Sequence, residues 1–145
     1  MIPYRDDQRI IFFGKYNGAL DCFSAFNPAK FFLEDVWWPS VEHYYQAHKV
    51  LDEKIKEQIR NCETPEQAKK IASIYYTRPD WLDIKVDIMY QAFKAMFEQN
   101  PKFKAVLLST GNKNLHQDDP ADFFWGYRGK DKFGQILTRI RTELR

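Results

Sequence analysis

Apolar residues recur at helical spacing from Ser40 to the C-terminus of the chain. Ser40 is a suitable N-cap for a first helix, which would begin directly after Pro39. The stripe of this helix is formed by Val41, Tyr44, His48, Leu51 and Ile55. A second helix is indicated by Thr64-Pro65-Glu66-Gln67, because a threonine N-cap, a proline in the first turn and a capping-box glutamine are typical of helix starts.

Three further helices are predicted in the second half of the chain. A long helix covers about Asp80–Gln99, and Asn100-Pro101 ends it and starts another, which stops at Gly111. The last helix carries Phe133, Ile136, Leu137, Ile140 and Leu144. Between these helices, Asn112–Lys132 contains Pro120 and glycines and is predicted to be irregular.

The first 39 residues have the pattern of short extended segments. Arg9–Gly14 and Phe31–Trp38 are rich in β-forming residues, and turn residues lie between them at Asn17-Gly18 and Asn27-Pro28. We find no repeat, low-complexity tract or linker in the sequence. The prediction is a mainly α (α+β) fold in which residues 1–145 form a single domain, an orthogonal helix bundle with a small N-terminal β element.

The composition of the chain limits the classes of function that this protein can have. The 145 residues suffice for one domain with a buried core, and 17% of them are aromatic, a content that suits pockets for flat rings as well as cores. A net charge of +2 does not indicate a dedicated nucleic-acid binder, although it allows contact with a phosphate-bearing molecule or one modified base. Cys22 and Cys62 lack metal-type spacing and are predicted to be buried thiols. We expect a cytoplasmic protein without a membrane span.

One candidate site lies in the segment WWPSVEHYYQAHK, Trp37–Lys49. Glu42, Gln46 and Lys49 fall at positions i, i+4 and i+7, so they share one helix face beside the apolar stripe. Spacing alone favours a solvated stripe, whereas a pocket-facing stripe is the functional alternative. His43 and His48 are interpreted as hydrogen-bonded scaffold.

A second candidate lies in LHQDDPADFFWGYRGKDKFG, Leu115–Gly134. This segment offers acidic residues, a Trp-Gly pair, and basic residues among glycines, a combination that suits a phosphate-bearing ligand. Its spacing is not that of a Walker loop, and a flexible surface loop is the alternative.

The third candidate is TRPDW, in which Arg78 precedes Trp81 at a helix start. Trp81 would either stack a base or simply anchor the core.

Taken in order, these motifs resemble the NADAR/YbiA family. The resemblance rests on WPSVEHYYQAHK, RPDW, KVDIM, LLSTG, DFFWG and GKDKFGQILTRIR, and it covers Phe12 to the C-terminus. The E-H-x-x-Q-x-x-K helix and the D-x-x-W-G loop are its most specific parts. The resemblance implies a YbiA-like, mainly helical fold and hydrolysis of an N-glycosidic bond. The substrate would be ADP-ribose on the amino group of guanine or a phosphoribosyl aminopyrimidine of riboflavin synthesis.

By residue match, the resemblance implies functional roles for Glu42, Lys49, Trp81, Asp122 and Trp125. Breaking a sugar C1–N bond requires a proton for the departing amine and an activated water or nucleophile at C1. We expect Glu42 and Asp122 to divide these tasks, and Lys49 to trap a ring-opened sugar as a Schiff base. Trp81 and Trp125 would stack the heterocycle. The remaining predicted substrate contacts are Gln46, Gly126, Arg78, Arg128, Lys130 and Ser24, with no metal or cofactor required.

The sequence departs from the family pattern at several positions. Ala25 replaces an asparagine, Ala72-Ser73 a glycine-arginine pair, Gln117 a glutamate and Asp131 an asparagine. These changes affect expected substrate contacts more than the bond-cleaving residues. An altered substrate and a non-catalytic binder of ADP-ribose or a related NAD metabolite therefore stay open, as do the oligomeric state and a toxin–antitoxin context.

Overall fold

The structure is a computed structural model that describes residues 4–5, 9–12, 18–119 and 121–145. The described residues form six α-helices, one 3-10 helix and five short strands, which confirms the prediction of a mainly helical fold with small β elements. In chain order they are β1 (Tyr4–Arg5), β2 (Arg9–Phe12), the 3-10 helix (Gly18–Phe23), β3 (Phe31–Leu33), β4 (Val36–Trp38), α1 (Val41–Ala47), α2 (Glu53–Arg60), α3 (Pro65–Ala72), α4 (Trp81–Gln99), α5 (Pro101–Ser109), β5 (Asn114–Gln117) and α6 (Lys132–Leu144).

The chain divides into two compact units. One is Pro28–Gln99, and the other combines Met1–Asn27 with Asn100–Arg145. That residues 1–145 form a single domain stays a prediction. Among the helices of the described residues, none has both the length and the apolar composition needed to cross a membrane.

The unit Pro28–Gln99 opens with a hairpin of β3 and β4. The sequence pattern predicts one strand over Phe31–Trp38, and this is wrong, because Leu33 pairs with Val36 across a two-residue turn. Glu34 and Asp35 in the turn have φ of 56° and 65°, the backbone of a type I′ turn. The usual Asn-Gly signal of such a turn is missing, so the break could not be recognised from residue types.

The amide of Gln99, at the end of α4, covers the free edge of β3. Its Oε1 accepts from the backbone N–H of Phe32 at 2.6 Å, and its Nε2 donates to the Phe32 carbonyl at 2.8 Å. The side chain thus takes the place of a neighbouring strand and ties the long helix to the hairpin.

Helix α1 lies at the centre of this unit, and all seven of its residues are buried. It packs against α2, α3 and α4. The prediction that one helix continues through Leu51 to Ile55 is wrong, because α1 ends at Ala47 and Leu51 is 61% exposed. The Asp52 carboxylate accepts from the backbone N–H groups of Lys54 and Ile55, so it caps a separate helix α2.

The other two helices of the unit begin where the sequence predicts. Thr64 caps α3 by accepting from the Gln67 N–H at 3.1 Å, and Gln67 Oε1 accepts from the Glu63 N–H at 3.1 Å. Helix α4 starts within one residue of the predicted position and buries a continuous face. Its buried residues are Trp81, Met89, Tyr90, Ala92, Phe93, Ala95, Met96 and Phe97.

In the other unit, the strands form a three-stranded sheet in the order β1-β2-β5. The predicted strand at Arg9–Gly14 is observed as Arg9–Phe12; Phe13, Gly14 and Asn17 lie outside the described residues. The prediction that Asn112–Lys132 is irregular is wrong for Asn114–Gln117, which pairs in parallel with β2. Only one residue of β5, Leu115, is apolar, so its strand conformation comes from long-range pairing and from packing of α6 against it.

The two cysteines are free thiols. Cys22 is buried as predicted, and burial raises its pKa to about 12, whereas Cys62 is only partly buried. Neither thiol lies in the electropositive, exposed surroundings that make a cysteine reactive.

The β3–β4 turn generates a stability prediction. Asp35→Gly should raise the free energy of unfolding by about 1 kcal/mol, because glycine adopts the observed positive φ without the steric cost borne by a residue with a Cβ atom. Chemical denaturation measures the effect. Asp35→Ala is the control, since it removes the carboxylate but keeps the Cβ atom; an equal gain in both variants would show that charge, and not turn geometry, is responsible.

Candidate active site

The start of helix α1 is held by a hydrogen-bond network around His43. Ser40 Oγ accepts from the His43 backbone N–H at 3.2 Å and lies 2.7 Å from His43 Nδ1. The other ring nitrogen, Nε2, donates to the Cys62 carbonyl at 2.9 Å. Burial lowers the pKa of His43, so the ring is neutral at pH 7, with its proton on Nε2 and with Nδ1 accepting from the serine hydroxyl. His43 thus supports the helix, as predicted.

His48 is also held by contacts with protein groups at both of its ring nitrogens. Its Nδ1 donates to the Tyr44 carbonyl at 2.7 Å, and its Nε2 lies 2.8 Å from Glu34 Oε1. The imidazole packs against the ring of Tyr44 at a centroid distance of 3.9 Å. His48 therefore joins the end of α1 to the hairpin turn, which agrees with a scaffold role.

Glu42 is a buried carboxyl group in the middle of this scaffold. The residue is 5% exposed, and Gln46 Nε2 donates to its Oε2 at 2.7 Å. Burial raises the pKa of Glu42, and the hydrogen bond from Gln46 and the charges of Lys69 and Lys49 oppose that rise. The interpretation of Glu42 and Gln46 as a solvated stripe is therefore wrong, because the face that they share is covered by neighbouring helices.

Lys49 lies beyond the end of α1 rather than on it. Its backbone N–H donates to the Gln46 carbonyl at 3.2 Å, and its own carbonyl accepts from the Arg78 N–H at 2.8 Å. The ammonium group lies 5.4 Å from the ring centroid of Tyr45. Burial lowers the pKa of Lys49, while the charge of Glu42 raises it. The charge of Glu42 thus affects the Lys49 ammonium although α1 ends between the two residues, and a shared catalytic role stays a prediction.

Trp81 packs against Tyr45, the residue over whose ring the Lys49 ammonium lies. Its ring meets that of Tyr45 edge to face at 4.9 Å, and only 7% of the residue is exposed. Arg78, which precedes it, forms an ion pair with Asp80, with Nε 2.6 Å from Oδ1. This hydrogen bond raises the pKa of Arg78 and lowers that of Asp80. Tyr45, which joins Trp81 to Lys49, was not predicted from the sequence, because an aromatic residue inside a helix usually indicates core.

Three charged residues from neighbouring helices also affect the pKa values of Glu42 and Lys49, and the sequence analysis did not identify them. On α3, the charge of Lys69 lowers the pKa of Glu42 and the charge of Glu66 raises it. The charges of Lys69 and of Lys85, on α4, lower the pKa of Lys49. Lys85 follows Trp81 by one helical turn, which is a usable sequence signal, whereas Lys69 and Glu66 are placed by the packing of α3 against α1.

The predicted loop residues lie in the other unit, where Asp122 organises a tight turn. Its Oδ1 accepts from the backbone N–H groups of Phe124 and Trp125, at 3.0 and 2.9 Å. A Cβ atom on Gly126 would lie 2.7 Å from the Asp122 carbonyl oxygen, so this turn requires glycine there. Trp125 is partly buried and meets Phe124 and Phe133 edge to face.

The other predicted contacts in this unit already have protein partners. Arg128 forms a two-pronged ion pair with Asp118, Nε to Oδ1 at 2.7 Å and Nη2 to Oδ2 at 3.3 Å, which raises the pKa of Arg128. Lys130 Nζ lies 5.7 Å from the ring centroid of Phe124. Ser24 is buried, and its Oγ accepts from the Phe26 N–H at 3.1 Å.

The departures from the family pattern occupy structured positions. Ala25 and Ala72 are buried, and Gln117 ends β5, where its carbonyl accepts from the Tyr127 N–H at 2.8 Å. Asp131 has a φ of 55°, a conformation that asparagine and aspartate tolerate better than most residues. Its Oδ2 lies 2.8 Å from His116 Nδ1 beside an open cleft of about 390 Å³, and burial raises its pKa.

The structure therefore brings together one part of the predicted site. Five of the predicted residues belong to Pro28–Gln99, namely Glu42, Gln46, Lys49, Arg78 and Trp81. The other six belong to the other unit: Ser24, Asp122, Trp125, Gly126, Arg128 and Lys130. The pairing of Glu42 with Asp122 stays a prediction. In the part of the chain that the structure describes, no three His, Cys, Asp or Glu side chains are grouped closely enough to bind a metal ion.

Comparison with known proteins identifies the family of this chain. Residues 11–145 match the family model of the NADAR domain. The chain belongs to the NADAR family. The solution NMR structure of the Escherichia coli protein YbiA superposes with a TM-score of 0.86 at 31% identity, over 97% of this chain and 87% of that protein. The YbiA-like fold implied by the sequence motifs is thus confirmed.

Curated relatives of this NADAR chain fall into two groups by length. It is 35% identical to an N-glycosidase of Nostoc punctiforme over 93% of its own length and 92% of the relative's. It is 35% identical to the N-glycosidase YbiA of Escherichia coli over 74% and 71% of the two lengths. The maize riboflavin biosynthesis protein PYRR, chloroplastic, is 33% identical over 98% of this chain, which spans only 26% of the maize protein.

The buried carboxyl generates a prediction of pH-dependent stability. Because folding raises the pKa of Glu42 above its ordinary value of 4.5, the folded state binds the proton more tightly, and the free energy of unfolding falls as pH rises from about 4.5 through the folded-state pKa. Glu42→Gln keeps an acceptor for Gln46 without the ionisation. The variant should match the wild type below pH 4.5 and exceed it at higher pH, by about 1.4 kcal/mol for each unit by which the pKa is raised.

Urea denaturation between pH 4 and pH 8 measures this difference. The control is Glu57→Gln on α2, an exposed carboxylate, which should show no such pH dependence. A difference between Glu42→Gln and wild type that is constant over the whole range would contradict a pKa raised by burial.

Proposed function

We propose that this chain is an N-glycosidase that hydrolyses a ribosyl C1–N bond, with ADP-ribose on the amino group of guanine as the first candidate substrate. The names of the Nostoc and Escherichia coli relatives support the reaction class. The observation in this chain that supports it most directly is the buried Glu42 carboxyl, whose raised pKa suits a general acid, together with the Lys49 amine, whose lowered pKa suits a nucleophile; each charge affects the pKa of the other group.

Glu42 acts as the acid in this scheme. Its proton passes to the departing amine nitrogen while the C1–N bond breaks and its electron pair goes to nitrogen, leaving oxocarbenium-like charge at C1. Water then adds at C1 and returns a proton to the carboxylate. Burial raises the pKa of Glu42 above that of a solvated glutamate, which favours the protonated form that a general acid needs.

Gln46 determines which oxygen of Glu42 carries the proton. Its Nε2 donates to Oε2, so that oxygen is occupied as an acceptor and the carboxyl proton belongs on Oε1. Gln46 Oε1 is buried and accepts no hydrogen bond from the described residues. A hydroxyl or N–H of the substrate is the donor that would satisfy it, which supports a substrate contact at Gln46 as well as a role in orienting Glu42.

Lys49 provides a covalent route for an exocyclic N-glycoside. Once the sugar ring opens to a C1=N iminium, the neutral amine adds to C1, a proton moves to the heterocyclic nitrogen, and the C1–N bond breaks to release the heterocyclic amine. The remaining C1=Nζ iminium is hydrolysed by water to the open sugar and free Lys49. The lowered pKa of Lys49 increases the fraction of neutral amine that this route needs.

A phosphoribosyl aminopyrimidine of riboflavin synthesis is the second candidate substrate. The names of the maize protein and of the riboflavin biosynthesis protein VVA0006 of Vibrio vulnificus favour it. This chain spans only 26% and 34% of those two proteins, so the pathway in their names is that of proteins much longer than this chain. Both candidates present a ribose joined through C1 to an exocyclic amine, so the same acid and nucleophile serve either.

The reaction class is tested by incubating the protein with guanine-ADP-ribosylated oligonucleotide and, separately, with phosphoribosyl aminopyrimidine, and following released sugar by mass spectrometry. Glu42→Gln should lower kcat/KM by at least about 100-fold, because the departing amine loses its acid. In the presence of borohydride, the wild type should form a sugar adduct that Lys49→Ala lacks. Lys54→Ala, which removes an exposed lysine of α2, is the control and should keep the adduct.

Saturable binding of ADP-ribose without turnover of either compound would favour a non-catalytic binder and refute the proposed reaction. Turnover that Glu42→Gln leaves unchanged would refute the role of Glu42 while leaving the reaction class intact. Trapping of an adduct at a lysine other than Lys49 would refute the covalent route through this residue.

The predicted catalytic role of Asp122 needs a variant that separates its charge from its structural role. Asp122→Asn keeps an oxygen for the N–H groups of Phe124 and Trp125, so stability should hold while activity falls if the carboxylate takes part in the reaction. Asp122→Ala should also lower the free energy of unfolding by about 1 kcal/mol through loss of these capping bonds. Full activity in Asp122→Asn would show that the Asp122 carboxylate takes no part in the reaction and only stabilises the loop.

A further inference from the structure

The ring of Tyr45, on α1, contacts both the Lys49 ammonium and the Trp81 indole. Lys49 Nζ lies 5.4 Å from the centroid of the Tyr45 ring, a distance at which an aromatic ring attracts a cation. The Trp81 ring meets the Tyr45 ring at a centroid distance of 4.9 Å and an interplanar angle of 61°, which is a favourable edge-to-face arrangement. Tyr45 and Trp81 are each 7% exposed, so both rings are packed within the protein.

The backbone of Lys49 is fixed, whereas its side chain is long and flexible. The backbone N–H donates to the Gln46 carbonyl at 3.2 Å, and the carbonyl accepts from the Arg78 N–H at 2.8 Å. These bonds determine where the side chain begins but not where its amine lies, because the amine is at the end of a flexible four-carbon stem. The contact with the Tyr45 ring restricts the amine at the other end of that stem.

We propose that Tyr45 is a positioning residue that holds the Lys49 amine in place through its ring, and that Trp81 holds the Tyr45 ring. This inference rests on the proposed function, in which Lys49 is the nucleophile. A nucleophile has to be held close to C1 and in line with it, and a misplacement of about 1 Å can slow a reaction about 100-fold. Trp81 then acts through Tyr45, and stacking on a heterocycle is the alternative role for it.

The ring of Tyr45 also favours the charged form of the amine, because the face of an aromatic ring is negative. Burial lowers the pKa of Lys49, the charge of Glu42 raises it, and the charges of Lys69 and Lys85 lower it. Tyr45→Leu leaves all three charged residues in place and replaces the ring by an apolar side chain. A change in the pKa of Lys49 in this variant therefore reports on the ring.

The pKa of Lys49 can be measured in the full chain without substrate. Lys49 is partly buried, so a small amine-reactive reagent such as acetic anhydride can reach it, and peptide mapping by mass spectrometry follows its acetylation between pH 6 and pH 11. The pKa of Lys49 should fall by about 0.5–1 in Tyr45→Leu, because the ammonium loses the ring that stabilises it. Tyr45→Phe keeps the ring and should leave the pKa of Lys49 unchanged.

Tyr90→Leu is the matched control for loss of a packed tyrosine. Tyr90 lies on α4, is 9% exposed and also has a lysine at its ring, with Lys94 Nζ 5.8 Å from the centroid. Its replacement should leave the pKa of Lys49 unchanged, and thermal unfolding of each variant measures the loss of stability separately. A pKa of Lys49 in Tyr45→Leu that equals or exceeds that of the wild type would overturn the proposal, as would an equal fall in Tyr90→Leu.

Trp81→Leu distinguishes the two roles of Trp81. A residue that holds the Tyr45 ring should, when replaced, lower the pKa of Lys49 in the same direction as Tyr45→Leu. A residue that only stacks on the substrate would leave the pKa of Lys49 unchanged in the protein without substrate, and this result would overturn the role of Trp81 proposed here.

Borohydride trapping with guanine-ADP-ribosylated oligonucleotide tests the positioning itself. Tyr45→Leu should form adduct at least about tenfold more slowly than the wild type, although more of its Lys49 amine is neutral, and Tyr45→Phe should restore the rate. Adduct formation by Tyr45→Leu at the wild-type rate would overturn the positioning role. A wild type that forms no adduct, but whose Lys49 pKa depends on the Tyr45 ring, would refute the covalent route and leave the contact between the two residues standing.

Discussion

The burial of the Glu42 carboxyl is the constraint on which the candidate site depends. An isolated carboxylate inside a protein is costly, and this one is 5% exposed and accepts, among the described residues, a side-chain hydrogen bond from Gln46. Burial penalises the ionised form of this carboxyl, and the raised pKa of Glu42 expresses that penalty. A carboxyl whose pKa is raised by burial is unfavourable for stability when ionised and suited to proton donation, and such a combination is common at active sites.

The surrounding structure serves to keep this acid in place. Helix α1 is only seven residues long, too short to be stable alone, so its conformation depends on Ser40 at its start, on His43 and His48 along it and on the helices packed around it. Both histidines use their two ring nitrogens in hydrogen bonds or ion pairs within the protein. Their role is to fix the backbone that carries Glu42 and Gln46.

Lys49 illustrates how the end of a helix can place a reactive group. Because α1 stops at Ala47, the Lys49 backbone turns away and its carbonyl accepts the Arg78 N–H, which draws the segment before α4 towards the site. The Lys49 side chain then extends over Tyr45, whose ring contacts Trp81. Aromatic and cationic side chains thus converge from segments that are more than thirty residues apart in the sequence.

The sequence by itself determined the helical character of the chain, the cap of α3 and the start of α4, because these depend on local spacing and on motifs. It also singled out Glu42, Gln46, Lys49 and Trp81 as candidate site residues. It could not show where α1 ends, since the capping carboxylate of Asp52 competes with an apolar periodicity that continues past it. It could not show the Glu34-Asp35 turn, which lacks the usual Asn-Gly signal, or the strand β5, whose conformation is imposed by pairing with the distant strand β2. Only the tertiary structure decided that Glu42 is buried and that the charges of Lys69 and Glu66 affect its pKa, since burial and electrostatic proximity depend on which helices pack together.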